Sequence, residues 1–190
     1  MNSVLKTNQL PQISLEDYKQ NFCFPIQDYW RGLGFRFTNK TFNILNKLFI
    51  DEYQKKMFLP KVHDNLIDFL KKLHHQKIQQ FILSASEQKI LNQSIKHYNL
   101  QGFFKGVYGV DNLNAIGKQK RGEQLCINYK LKRENTLLVG DTEYDKEVAV
   151  YLGCRILLVS YGHINHQRLL KTGETVVSSV RELKSFLRSI

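Results

Sequence analysis

Asn135-Thr136-Leu137-Leu138-Val139-Gly140-Asp141-Thr142-Glu143-Tyr144-Asp145 is the stretch that decides the fold. A short apolar run stops at a glycine, two acids follow four positions apart, and a helical pattern begins at once over Glu143 to Leu152. Gly140 lets the backbone turn tightly beneath whatever sits there. Two carboxylates at such a turn can face one crevice, and a hard cation such as Mg²⁺ takes one or two carboxylates plus substrate oxygens and water. Asp141 is equally suited to capping the helix that follows.

Working outward, the same alternation recurs. Gln80 to Ser84, Gly106 to Val110, Asn135 to Gly140 and Arg155 to Ser160 read as short apolar strands, and Thr175 to Val177 as a final edge strand. Between and after them lie helical stretches at Glu87 to Tyr98, Lys120 to Lys130, His166 to Lys171 and Val180 to Leu187, with Gly153 as the C-cap of the helix after Asp141. Strands alternating with helices mean βαβ units, a parallel sheet and an α/β fold with strands buried on both faces. Ligands in such sheets bind beyond the carboxyl ends of the strands. Before Pro60 the chain reads as helical: Ser14 with Glu16 and Asp17 marks a helix start, and Phe42, Leu45, Phe49, Tyr53 and Met57 form one apolar stripe. His63 to Gln76 is amphipathic.

At two other strand ends the residue types suit an anion. Ser84 closes the first apolar run, where its hydroxyl and the N–H groups opening the next helix could meet a phosphate; Ser86 reads as an ordinary N-cap. Lys118 follows the second run by a short loop and could neutralise a phosphoryl group or an aspartate.

The order strand–Ser, Lys before a helix, strand–Gly-Asp-x-x-x-Asp resembles the haloacid dehalogenase superfamily. Phe81-Ile82-Leu83-Ser84 matches its second motif, Lys118 the third, and Leu138 to Asp145 the fourth. The stretch from Gly140 to Gly162 and His163 looks like the phosphoglycolate-phosphatase branch. The resemblance implies a doubly wound Rossmannoid core over 60–190 and a helical cap over 1–59. It implies a Mg²⁺-dependent phosphatase of a small phosphate ester. Ser84 and the Ala85 N–H would bind phosphoryl oxygens, Lys118 would hold the phosphoryl group, and Asp141 with Asp145 would hold the metal. Phe24, Asp28, Tyr29 and Arg31 become candidate cap contacts.

The family's first motif is Asp-x-Asp at the end of a central strand, and no Asp-x-Asp occurs in this sequence. The first core strand is therefore expected to be missing, between the strands ending at Ser84 and Gly140, and with it the nucleophile. Such a chain is expected to be marginally stable and inactive alone. A binding or regulatory module that keeps an anion site is the other expectation.

Composition is that of an ordinary globular chain, 42% hydrophobic and 24% charged over 190 residues. The net charge of +11 raises nucleic-acid binding, but the basic residues are scattered and no zinc-finger, RNA-binding or basic-zipper pattern accompanies them. No run approaches the ~20 apolar residues that span a bilayer, and the first residues lack the apolar core of a secretory signal. Cys23, Cys126 and Cys154, odd in number and far apart, suit free thiols in a cytoplasmic protein.

Overall fold

The computed structural model describes residues 1–188; the last two residues of the expected core, Ser189 and Ile190, lie outside the described residues. Four helices come first: α1 (Asn2–Thr7), α2 (Leu15–Asn21), α3 (Ile26–Gly32) and α4 (Asn39–Gln54). Then follow α5 (Leu66–His75), β1 (Phe81–Glu87), α6 (Gln88–His97), β2 (Gly106–Val110), α7 (Lys118–Asn128), β3 (Leu137–Gly140), α8 (Glu143–Leu152), β4 (Arg155–Val159), α9 (His166–Leu170), β5 (Val176–Val177) and α10 (Val180–Phe186). Local chemistry explains many boundaries. Ser14 with Asp17, Thr38 with Thr41, and Thr142 with Asp145 are capping boxes. Gly153 closes α8 in the left-handed conformation, φ +69°.

All strand pairs are parallel, but the hydrogen bonds divide them into two sheets, β1–β2 and β3–β4–β5. Residues of β4 alternate between two faces, as the two-residue period of a strand requires. Ile156 and Leu158 join Ile164, Leu169 and the N-terminal helices in one cluster; Leu157 and Val159 join Phe69 of α5 and Val180 and Leu183 of α10 in another. Helices thus cover both faces, the doubly wound arrangement. The core of α1–α4, built on Val4, Leu5, Trp30 and Phe42, is continuous with that of β4 rather than separate from it.

The two sheets are joined through their helices. α7 lies on β1 and β2, α8 lies on β3 and β4, and the two helices pack on each other. Their contact is close at Gly122, where a Cβ would meet Leu152 Cδ1 of α8 at 2.7 Å and Leu83 Cδ2 of β1 at 2.9 Å. β1 and β3 each keep one edge without a strand partner among the described residues. Val139 in β3 is 42% exposed although its register partner Leu157 is fully buried. No helix of the described residues is long and apolar enough to cross a membrane.

Candidate active site

The C-terminal end of β3 leads to a densely bonded carboxylate. Asp145, one turn into α8, is 3% exposed. One of its oxygens takes an ion pair and hydrogen bond from Lys118 Nζ, itself buried at the first residue of α7. The other accepts from Asp141 N at 2.9 Å, Thr142 N at 3.0 Å and Thr142 Oγ1 at 2.8 Å. Burial pushes the Asp145 pKa up, but the Lys118 ammonium and the Thr142 and Asp141 donors outweigh it and hold the carboxyl below its ordinary value. Gly140 is needed because a Cβ there would overlap the Asp145 side chain.

Asp141 faces the other way. Its Oδ2 accepts the His163 N–H at 2.6 Å from the loop after β4. Gly162 makes this approach possible, since any side chain there would collide with the Asp141 carboxylate. The N-terminal helices reach the same loop: Tyr18 Oη bonds His163 Nδ1 at 2.5 Å, and Phe22 stacks on the His163 ring. Burial, with Tyr29 and Asp141 nearby, raises the Tyr18 pKa. Arg168 of α9 forks onto Glu143 of α8 at 2.6 and 2.9 Å and donates to the carbonyls of Gln20 and Phe22. Beside it lies a cleft of about 170 Å³ walled by Phe24, Glu143, Tyr144, Glu147 and Arg168.

Lys118, Asp141 and Asp145 are therefore brought together. No hydrogen bond among the described residues links Ser84 to them; its hydroxyl accepts the Ser86 N–H at 3.1 Å. β1 does not stop at Ser84. It runs on to Glu87 through an irregular stretch that holds Ala85, between the Leu83–Tyr108 and Glu87–Val110 pairs. The N-cap of α6 is Glu87 rather than Ser86, and its carboxylate takes the Lys89 and Ile90 N–H groups at 3.0 and 3.1 Å. The helix-start donors expected to meet a phosphate are thus occupied by the protein's own acid. Likewise Thr142, not Asp141, caps α8, and among the described residues no hydrogen bond is made to Asp141 Oδ1.

Of the cap candidates, Tyr29 is buried, stacked edge-on against Tyr18 and Phe22. Phe24 packs on Tyr144 at 4.9 Å between ring centres. Asp28 and Arg31 pair with each other on the exposed face of α3. Sequence reasoning passed over Thr142, Gly162, Tyr18 and Arg168 as members of this neighbourhood. Only Thr142, at the first position of the Thr142-x-x-Asp145 capping pattern, had a local signal.

A magnesium ion needs an octahedral set of oxygens. Asp145 has both oxygens committed, and Asp141 offers one oxygen with no hydrogen bond among the described residues. No group of three or more His, Cys, Asp or Glu placed to hold a metal is present among the described residues. The residues present do not form a magnesium site by themselves. What they do form is a buried ammonium with N–H donors beyond the one given to Asp145, a group suited to an anion.

Comparison with known proteins bears on the fold and the family. No curated protein matches the chain. Among solved structures, a predicted phosphatase from Clostridium acetobutylicum superposes with a TM-score of 0.83 at 18% identity, covering 100% of this chain and 88% of its own. A haloacid dehalogenase-like hydrolase from Streptococcus pneumoniae gives 0.80 at 18%, covering 96% and 86%. A predicted phosphoglycolate phosphatase from Haemophilus somnus gives 0.76 at 17%, covering 98% and 88%. At these identities the likeness is one of fold. A family model described as haloacid dehalogenase-like hydrolase matches residues 1–159, most of the chain, and the chain belongs to that family.

Proposed function

We propose that this chain supplies the phosphate-handling part of a magnesium-dependent phosphomonoesterase for a small substrate, and that catalysis requires a further strand, bearing an aspartate, between β1 and β3. The observation that carries this is the buried Lys118–Asp145 pair at the C-terminal end of β3, beside a strand edge with no strand partner among the described residues. Lys118 would hold the transferring phosphoryl group, since phosphoryl transfer is mostly positioning and charge stabilisation. Asp145 aims Lys118 and fixes the Asp141–Thr142 backbone; it does not bind substrate. Asp141 would hold a magnesium ion only together with oxygens from the added strand, the phosphate and water. Ser84 would add a hydroxyl from the opposite side of the gap. The N-terminal helices, residues 1–59, would act as the cap that excludes water and selects substrate.

The test is to extend the N-terminus with an apolar strand ending in Asp-x-Asp and to measure phosphate release from a broad panel of small phosphate monoesters. Magnesium-dependent release that disappears in Lys118→Met is expected. No release from any ester would remove the hydrolase.

A non-catalytic anion-binding module is the second reading, favoured by one observation: the sequence holds no Asp-x-Asp. It expects the present chain to bind orthophosphate through Lys118 and an added strand to bring no turnover.

A further inference from the structure

We infer that Asn46, on the N-terminal helix α4, is a positioning residue for Lys118. Through Asn46 the helical region holds the loop that delivers the site lysine. This rests on Lys118 being the site lysine of the proposal above.

Asn46 lies four residues after Phe42 and three before Phe49, in the middle of the apolar stripe of α4. An amide there is out of pattern, and burying one is unfavourable unless it is hydrogen-bonded. Asn46 is 2% exposed, and its Nδ2 donates to the Leu113 carbonyl at 2.7 Å and to Asn114 Oδ1 at 2.9 Å. Asn114 in turn donates to Asn43 Oδ1 at 3.3 Å, one turn earlier on α4. Both loop partners lie between β2 and α7, in the segment that ends at Lys118.

That segment is built to pass an anchor along. Asn112 Oδ1 accepts from the N–H groups of Asn114 and Ile116, and Asn112 Nδ2 donates to the Ile116 carbonyl at 2.8 Å. Ala115 and Gly117 both take positive φ, +58° and +98°. A left-handed alanine persists only where its surroundings determine it. Gly117 is the N-cap of α7, and Lys118 is the next residue. On its other side, Arg121 holds the first turn of α7 to the Gly109 carbonyl at 2.6 Å and to Gln88 at 2.9 Å. Lys118 thus sits between two clamps. Arg121 belongs to the sheet side. Asn46 belongs to the helical region, and removing it frees the loop while leaving the Arg121 clamp in place.

The experiment uses the full chain and does not depend on turnover. The Lys118 ammonium, buried against Asp145, is followed by ¹⁵N-resolved NMR of lysine side chains and assigned by its loss in Lys118→Arg. Backbone amide exchange over residues 113–118 is recorded in parallel. In Asn46→Ala, the Lys118 signal is expected to broaden beyond detection and the loop amides to exchange at least tenfold faster. Phe42→Leu, which loosens the same helix without touching the loop, should keep both. Asn114→Ala removes the bonds to Asn46 and Asn43 from the loop side, leaving the Asn46 bond to the Leu113 carbonyl, without opening the helical core. It should accelerate loop exchange in the same segment, and it decides the matter if Asn46→Ala does not fold. An unchanged Lys118 signal and loop protection in the Asn variants, or an equal loss in Phe42→Leu, overturns the inference. Absence of phosphatase activity would overturn the proposed function while leaving this result untouched.

Discussion

At the end of β3 a single carboxylate takes one ammonium and three further donors, while in the irregular stretch of β1 a single hydroxyl takes one backbone N–H. β1 and β3 each have an edge without a strand partner among the described residues, yet the two positions are held very differently. Asp145 is held by burial, by charge and by the geometry of a capping box at once. Ser84 lies in the irregular end of a two-stranded sheet, where the register slips before Glu87. Asp145 is thus held by several donors at once, and Ser84 by one backbone contact.

The sharpest way to break this contrast is to remove Asp145. Asp145→Ala leaves Lys118 buried without its partner, and breaking a buried pair in this way costs about 3–5 kcal/mol. Urea unfolding should show that loss, and a loss under ~1 kcal/mol would mean that the pair does not hold the fold. Acid titration tests the same pair. The folded pKa of Asp145 lies below the ordinary 3.8, so its contribution is complete above that value and is lost as the pH falls through the lower folded value. The urea midpoint should therefore drop more steeply below about pH 4 in the wild type than in Asp145→Asn. Parallel curves would show that the shift is absent.

Gly162→Ala should come next. Its methyl group would collide with the Asp141 carboxylate, and overpacking of this kind costs about 1–3 kcal/mol. The His163 amide resonance, which reports the bond to Asp141, should move with it. Thr142→Ala removes a cap and one Asp145 donor and should cost about 1 kcal/mol by thermal unfolding. Ser84→Ala sharpens the comparison from the other side. Only one hydrogen bond to Ser86 is lost, so its stability effect should stay near 0.5 kcal/mol, the low end for such bonds. A loss as large as that of Thr142→Ala would show the two strand ends to be equally determined.

Much of the core was legible because period and punctuation agreed. The apolar runs before Gly140 and Ser160 became β3 and β4, and Gly153 ended α8. The Asp141–Asp145 spacing marked the site, but not the roles within it. Capping went to Thr142, because a hydroxyl there can reach the Asp145 N–H and accept the capping box, which freed Asp141 for His163. The run to Ser84 continued to Glu87 because β2 pairs again at Val110, a contact that no local pattern announces. Lys118 opens α7 rather than preceding it, since Gly117 supplies the left-handed turn. Asn46 interrupts the apolar stripe of α4, and its partners are 67 and 68 positions away. Long-range polar contacts of this kind leave no periodic trace.

Arg168 and its neighbours impose an order of assembly. The helices made first rest on Leu158, Ile164 and Leu169, and Arg168 binds carbonyls 146 and 148 positions behind it. Residues 2–54 have no floor to settle on until residues 158–169 have been synthesised, and during that interval Trp30, Phe35 and Phe42 are open to chaperones and to one another.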